Sequence, residues 1–386
     1  MMTIKSGGRR HDIDALRVFS FGTLIIYHTS LLFGTSPFSL KSEESSRLMD
    51  LIAIGSHPWR MSLLFFISGL VTASLVARKS AEDIRRSRTR QLLLPFLFGV
   101  LLIVPPQFYF ANLDAHPDLS YWTFLKIYML SGIALEHMWF LAYLWVYVFV
   151  WSLTFSRFER HWRTLSSAFA SLLTGPNLFL VPVAFLAALR IFLYPVFGET
   201  LVIANDVYAH VMYFSIFMAG ALLYSETGFW QEIDRQRWGS LVLAAVSFLA
   251  IVITFLILPR EQWPEWLVVV ARVIRSILQW STILALLAFA GRLVRGPSRV
   301  VSYLNKSIMT YYILHQTIIV IAAYYFAKLG MLDITSFVPI VIITVVVCFL
   351  AAEGKKLASA CFSAFMSKLS ALRKATAKPV SPEAVG

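Results

Sequence analysis

The sequence predicts an all-α, polytopic integral membrane protein of about ten transmembrane helices with both termini cytoplasmic. Three observations carry that prediction. Of 386 residues, 58% are hydrophobic and only 14% charged, against about 45–50% and about 25% in soluble domains. The apolar residues gather into runs of membrane length, and the basic residues gather into alternate connecting segments. Lipid offers an unpaired backbone no partner, so such runs must be helices. They are about twice the length a barrel strand needs and lack its alternation. The composition excludes an ordinary soluble enzyme, a disordered chain and a collagen-like repeat.

The runs fall at about 13–34, 57–77, 91–111, 136–155 and 178–197, then at about 207–225, 239–258, 266–290, 308–328 and 334–353. The first is too long for the apolar part of a cleavable signal peptide, and no small-residue cleavage pattern follows it. It is expected to be retained as the first span. Sorting the 34 lysines and arginines by connecting segment puts 24 on one side and 5 on the other, namely Lys41, Arg47, Lys126, Arg260 and Lys328. That bias assigns the basic side to the cytoplasm. It also accounts for the net charge of +13 without a nucleic-acid partner.

Residues 1–353 read as one transmembrane domain and 354–386 as a basic amphipathic cytoplasmic tail. Between 355 and 374, Leu357, Cys361, Phe362, Phe365, Leu369 and Leu372 recur at helical spacing with basic residues between them. This pattern suits a helix at an anionic lipid interface. The last dozen residues, with Pro379 and Pro382, read as disordered. Cys348 and Cys361 supply neither a disulfide framework nor a metal cluster and read as small apolar fillers. No internal repeat is evident, which weakens a transporter built of duplicated halves.

Ionisable residues inside hydrocarbon cost roughly 2.5–3.5 kcal/mol each, so each is a candidate for function. The first run carries Asp14, Arg17 and His28. At about 100° per residue, Arg17 to His28 is about 20° beyond three turns, and Asp14 to His28 is about 40° short of four. All three share one face, with Arg17 and His28 roughly 16 Å apart along the axis. Asp14 and Arg17, three residues apart, can pair. A lone histidine in a span is more often a helix–helix hydrogen-bond partner; alignment with an arginine and a carboxylate shifts the reading towards a site.

His57 precedes Pro58-Trp59-Arg60, His137 opens His137-Met138-Trp139-Phe140-Leu141, and His315 sits in Tyr312-Ile313-Leu314-His315-Gln316. Taken singly, each also reads as an interfacial residue with a satisfied ring. No two histidines stand at ligand spacing on one helix, so no metal is expected. The densest positive patch is Arg85, Arg86, Arg88 and Arg90. Guanidinium forks suit phosphates, including those of coenzyme A, but topogenic charge explains the patch equally well. Arg190, Arg272 and Arg275 either line a polar cavity or snorkel.

Asp14-Ala15-Leu16-Arg17, followed after ten residues by Tyr27-His28, resembles the opening signature of the membrane acyltransferase 3 family. Phe65-Phe66-Ile67-Ser68-Gly69 resembles its second-helix motif, and Arg88-Thr89-Arg90-Gln91-Leu92-Leu93-Leu94-Pro95 its basic loop. The His137 and His315 blocks fit later family motifs in order. His57-Pro58-Trp59-Arg60-Met61 and Pro105-Pro106-Gln107 look most like the branch containing the glucan succinyltransferases. One departure stands out: where the family's basic loop often repeats an arginine, this chain has Gln91.

The resemblance implies transfer of an acyl group, acetyl or succinyl, from acyl-CoA to a hydroxyl of an envelope or periplasmic carbohydrate. It places the chain in a bacterial-type inner membrane. Acyl-CoA (acetyl-CoA or succinyl-CoA) enters as co-substrate, with no permanently bound cofactor. His28 is then the expected general base, since a neutral imidazole near pH 7 suits deprotonation of a sugar hydroxyl. Arg17, braced by Asp14, would hold donor phosphates or developing charge. Arg85, Arg86, Arg88, Arg90 and Ser68 are expected at the donor. His57, Arg60, His137, Trp139, Tyr312, His315 and Gln316 are expected at the acceptor or its cavity. Two other readings use the same residues: a transporter or flippase of an anionic or acylated solute, and a non-catalytic partner of a polysaccharide assembly.

Overall fold

A computed structural model describes residues 10–76 and 78–376, and all regular structure within them is helical. The helices in order are α1 (His11–Leu31), α2 (Arg47–Leu75), α3 (Ala81–Phe98), α4 (Val104–Asn112), α5 (Tyr121–Ser131), α6 (Trp139–Leu172) and α7 (Asn177–Ala188). There follow α8 (Tyr194–Phe197), α9 (Val207–Leu223), α10 (Thr227–Arg235), α11 (Arg237–Ile257), α12 (Glu265–Leu293), α13 (Arg299–Lys328) and α14 (Phe337–Thr376).

Each of the ten apolar runs is helical. Among the described residues, eight continuous helical segments are long and apolar enough to cross a membrane, or nine if α9 and α10, bent by 108°, form one span. The chain is therefore a multi-pass membrane protein. Helix α1 falls outside that set because Asp12, Asp14, Arg17 and His28 dilute its apolar residues. It packs on α2, α12, α13 and α14, which gives those polar groups protein rather than lipid for neighbours. Helix α14 runs unbroken from Phe337 to Thr376, so the basic tail continues the axis of the last apolar run. The segment with Pro379 and Pro382 lies outside the described residues.

Helices α2 and α9 form the tightest crossing. A Cβ on Gly69 would lie 2.0 Å from the Phe217 carbonyl oxygen, and one on Gly220 would lie 2.1 Å from that of Phe66. Two glycines facing opposite backbones let the helices touch, as small residues do in membrane interfaces generally. The contact buries Phe65, Phe66 and Phe217 completely.

Prolines shape the other helices. Pro105 has no N–H for the preceding turn and its ring crowds the carbonyl four residues back. The chain opens into a π turn over Gly99–Ile103. Thr317 of α13 donates its hydroxyl to the carbonyl of Ile103, the last residue of that turn, at 2.9 Å. A second π turn, Leu189–Leu193, precedes Pro195 and carries Arg190. In α2, Pro58 sits between His57 and Arg60, and the Trp59 indole donates to the Gly55 carbonyl at 2.7 Å.

One end of the bundle gathers the starts of α1 and α13 with the basic part of α14. Asn305 donates to Asp14 at 2.7 Å, Tyr303 donates to Glu353, and Lys356 pairs with Glu353 at 2.7 Å. At the opposite end Lys328 pairs with Asp114 at 2.5 Å. Leu180, Ile257, Ile342 and Leu350 stand on the outer surface, fully apolar and exposed, as lipid-facing side chains do.

Candidate active site

Two cavities lie along the same helices, and Tyr312 of α13 lines both. The smaller, about 390 Å³, opens at the end where the basic segments converge. Arg17 of α1, Arg88 of α3, Lys306 of α13 and Lys355 of α14 line it, joined by Ser68, Gln91 and Asn305. We refer to it as the basic cavity. Arg88 donates to the Gln91 amide oxygen at 3.3 Å, so the residue that departs from the family pattern steers the neighbouring guanidinium.

The larger, about 970 Å³, is lined by Tyr27, His28, His57, Arg60, Glu136, His137 and Gln316, among others. We refer to it as the histidine cavity. Arg60 lies over Tyr27, its guanidinium carbon 3.7 Å from the ring centroid. Glu136 sits in the left-handed backbone region at φ 44°, a conformation that non-glycine residues rarely hold. That backbone turns its carboxylate inward, where one oxygen accepts from Gln107 at 3.2 Å and Gln316 at 2.9 Å. Glu199, at the far wall, accepts from Tyr213 at 2.8 Å.

The wall between the cavities is aromatic. Tyr312 is buried, donates its hydroxyl to the His137 carbonyl, and presents its ring edge to Phe21 at 5.6 Å and Phe140 at 6.0 Å. Arg17 therefore faces one cavity and His28 the other, although both stand on α1. The helical period alone places them on one face; packing decides that Tyr312 and Phe21 divide that face.

The structure brings Arg17, Arg88 and Ser68 to the basic cavity. Asp14 stands just outside it, bonded to Asn305. Arg85, Arg86 and Arg90 do not line it: Arg85 approaches the Phe149 ring at 5.8 Å, and Arg86 and Arg90 are exposed. His57, Arg60, His137, Trp139, Tyr312 and Gln316 all line the histidine cavity. His315 lies behind it, its ring centroid 5.1 Å from that of His28. Among the described residues no group of three or more His, Cys, Asp or Glu side chains is arranged to hold a metal ion.

Several lining residues escaped the sequence reading. Lys306 and Lys355 were counted there as topogenic charge, and Asn305 carried no signal at all. Glu136 and Glu199 were missed because nothing in the sequence marks a strained backbone or a carboxylate matched to neutral donors. The proline just after each π turn is the available cue for irregular backbone.

The family model described as an acyltransferase domain, of the acyltransferase 3 type, matches residues 10–353. The chain belongs to that family and is an acyltransferase. It is similar to proteins named "Glucans biosynthesis protein C" from Salmonella typhi, Salmonella typhimurium and Salmonella heidelberg. Each is 25% identical over 332 residues, covering 82% of this chain and 84% of the relative. No solved structure matches it.

Proposed function

We propose that this protein is an inner-membrane O-acyltransferase that moves an acyl group from acyl-CoA to a hydroxyl of an envelope carbohydrate. In this reading α1 is a tenth span and both termini are cytoplasmic, as the 24-to-5 distribution of basic residues favours. One observation carries the reading: a cavity ringed by cations and a cavity ringed by histidines meet at a single buried tyrosine. A long two-ended donor suits that arrangement. Its phosphates would rest on Arg17, Arg88, Lys306 and Lys355, and its thioester would pass Tyr312 to reach His28.

The acceptor side fits a polyhydroxylated molecule. Around the histidine cavity, Arg60 Nε, Gln107 Oε1 and Gln316 Oε1 are buried without hydrogen-bond partners. Such atoms are costly unless water or a polar ligand meets them. The name of the relatives points to glucans as the acceptor class. In the reaction, the His28 nitrogen that faces the cavity takes the proton of a sugar hydroxyl. The oxygen attacks the thioester carbonyl, an ester C–O bond forms, and the C–S bond breaks. The departing thiolate takes the proton back from the imidazolium, so acyl ester and free coenzyme A are the products.

The cavity's charge favours a carboxylated acyl group, succinyl over acetyl. Arg60, Arg260 and Arg275 line it, while Glu136 and Glu199 are engaged by amides and a tyrosine. Among the described residues none of these arginines has a carboxylate within ion-pair distance, and a bound carboxylate would supply the missing anion.

The test is transfer in proteoliposomes from radiolabelled succinyl-CoA to a β-glucan. Base-labile label covalently on the glucan is expected. Label that crosses the membrane yet remains free would instead make the protein a carrier and overturn the assignment.

A further inference from the structure

Three imidazoles meet beside the histidine cavity, and two of them are locked by backbone carbonyls. His137 Nε2 lies 2.9 Å from the Ile313 carbonyl. His315 Nδ1 lies 2.7 Å from the Tyr312 carbonyl and 3.2 Å from that of Tyr311. A carbonyl only accepts, so these two nitrogens carry the ring protons. Both rings are buried and, among the described residues, neither has a carboxylate at ion-pair distance, so each is neutral. Their other nitrogens, His137 Nδ1 and His315 Nε2, are consequently lone-pair acceptors. Both are buried with no donor.

His28 is the third ring. Its centroid lies 5.1 Å from that of His315, which lies 5.1 Å from that of His137. Its Nδ1 is also buried without a partner, while the rest of the ring edge faces the cavity. Among the described residues no backbone carbonyl bonds its ring, and the Gln316 amide is its side-chain neighbour on the cavity wall.

We propose that His315, backed by His137, is a positioning residue that holds His28 in the Nδ1–H tautomer and leaves His28 Nε2 as the lone pair facing the acceptor. The inference rests on the reading of His28 as the base. No direct bond joins the three unpaired nitrogens, and a proton on Nδ1 gives the two acceptors a donor through one water held among the rings. A proton on Nε2 would leave three lone pairs buried together with no donor among them. The same Nδ1–H persists when His28 becomes an imidazolium, so His315 also steadies the ring at the moment it holds the acceptor's proton.

The experiment is 15N NMR of the full-length protein, histidine-labelled, in lipid nanodiscs, paired with kinetics of His315→Leu and His315→Gln. In the wild-type protein His28 is expected as Nδ1–H, His137 as Nε2–H and His315 as Nδ1–H. In His315→Leu the His28 signal should move towards the Nε2–H form. Its kcat should fall by on the order of 10²-fold with KM unchanged for donor and acceptor. His315→Gln, whose amide oxygen restores an acceptor, should recover most of that loss. An Nε2–H His28 in the wild-type spectrum overturns the proposal, and so does full kcat in a folded His315→Leu protein. Should that variant fail to fold, the wild-type spectrum decides alone. Full activity of His28→Ala would remove the base and leave the tautomer measurement standing, so the two failures are distinguishable.

Discussion

The two cavities differ in how their polar groups are answered. In the basic cavity, cations from four helices converge with Asn305 and Gln91 as neutral company. The histidine cavity holds both signs of charge, yet its carboxylates bond amides and a tyrosine, and its arginines stand apart from them. The first arrangement suits one strongly anionic ligand held by charge. The second suits a ligand recognised atom by atom, with many hydroxyls and one anionic group. The lesson is that α1 contributes to both, and Tyr312 with Phe21 makes them separate environments.

That contrast can be broken most sharply at His28. His28→Ala is expected to lower kcat by about 10²–10⁴-fold, with acyl-CoA KM unchanged. Rates in proteoliposomes read both constants, and a change confined to donor KM would merge the cavities into one donor site. The mirror experiment is Arg17→Ala or Arg88→Ala. Each should weaken coenzyme A binding by roughly 10–100-fold, as loss of a charged hydrogen bond does. Titration with coenzyme A alone measures this, and the acceptor KM should hold still.

A smaller effect sharpens the histidine cavity itself. Arg275→Gln should reduce the preference for succinyl-CoA over acetyl-CoA by about tenfold, the value of roughly 1.4 kcal/mol. Competition between the two donors reads the ratio directly; an unchanged ratio would remove the anion role of that arginine. Least connected with chemistry is Gly69→Ala, which forces α2 from α9. It should cost about 1–3 kcal/mol and lower thermal stability in detergent, with substrate KM values unchanged in the protein that remains folded.

How much was legible depends on the range of the interaction. The alignment of Asp14, Arg17 and His28 follows from the period of one helix, and in the structure Arg17 lines one cavity and His28 the other. Gly69 belongs to a motif that the sequence displays, but its reason, the backbone of Phe217, lies on a helix whose partner glycine carries no mark in the sequence. Arg85, Arg86 and Arg90 look identical to Arg88 as text, and only the register of α3 sends Arg88 into the basic cavity. His315 read as a cavity residue, whereas the turn of α13 puts Tyr312 and Gln316 at the wall and His315 behind His28.

The sequence by itself determined that the chain is helical and crosses a membrane many times, and it singled out the few polar groups worth following. It could do so because lipid imposes the same local rule on every apolar run: satisfy the backbone within the segment. Only the tertiary structure decided which polar groups share a cavity, which stand behind one another, and where a tyrosine divides two chemistries. Those relations join residues such as His28 and His315 from opposite ends of the chain. They depend on how helices pack, and a local hydropathy pattern does not encode that.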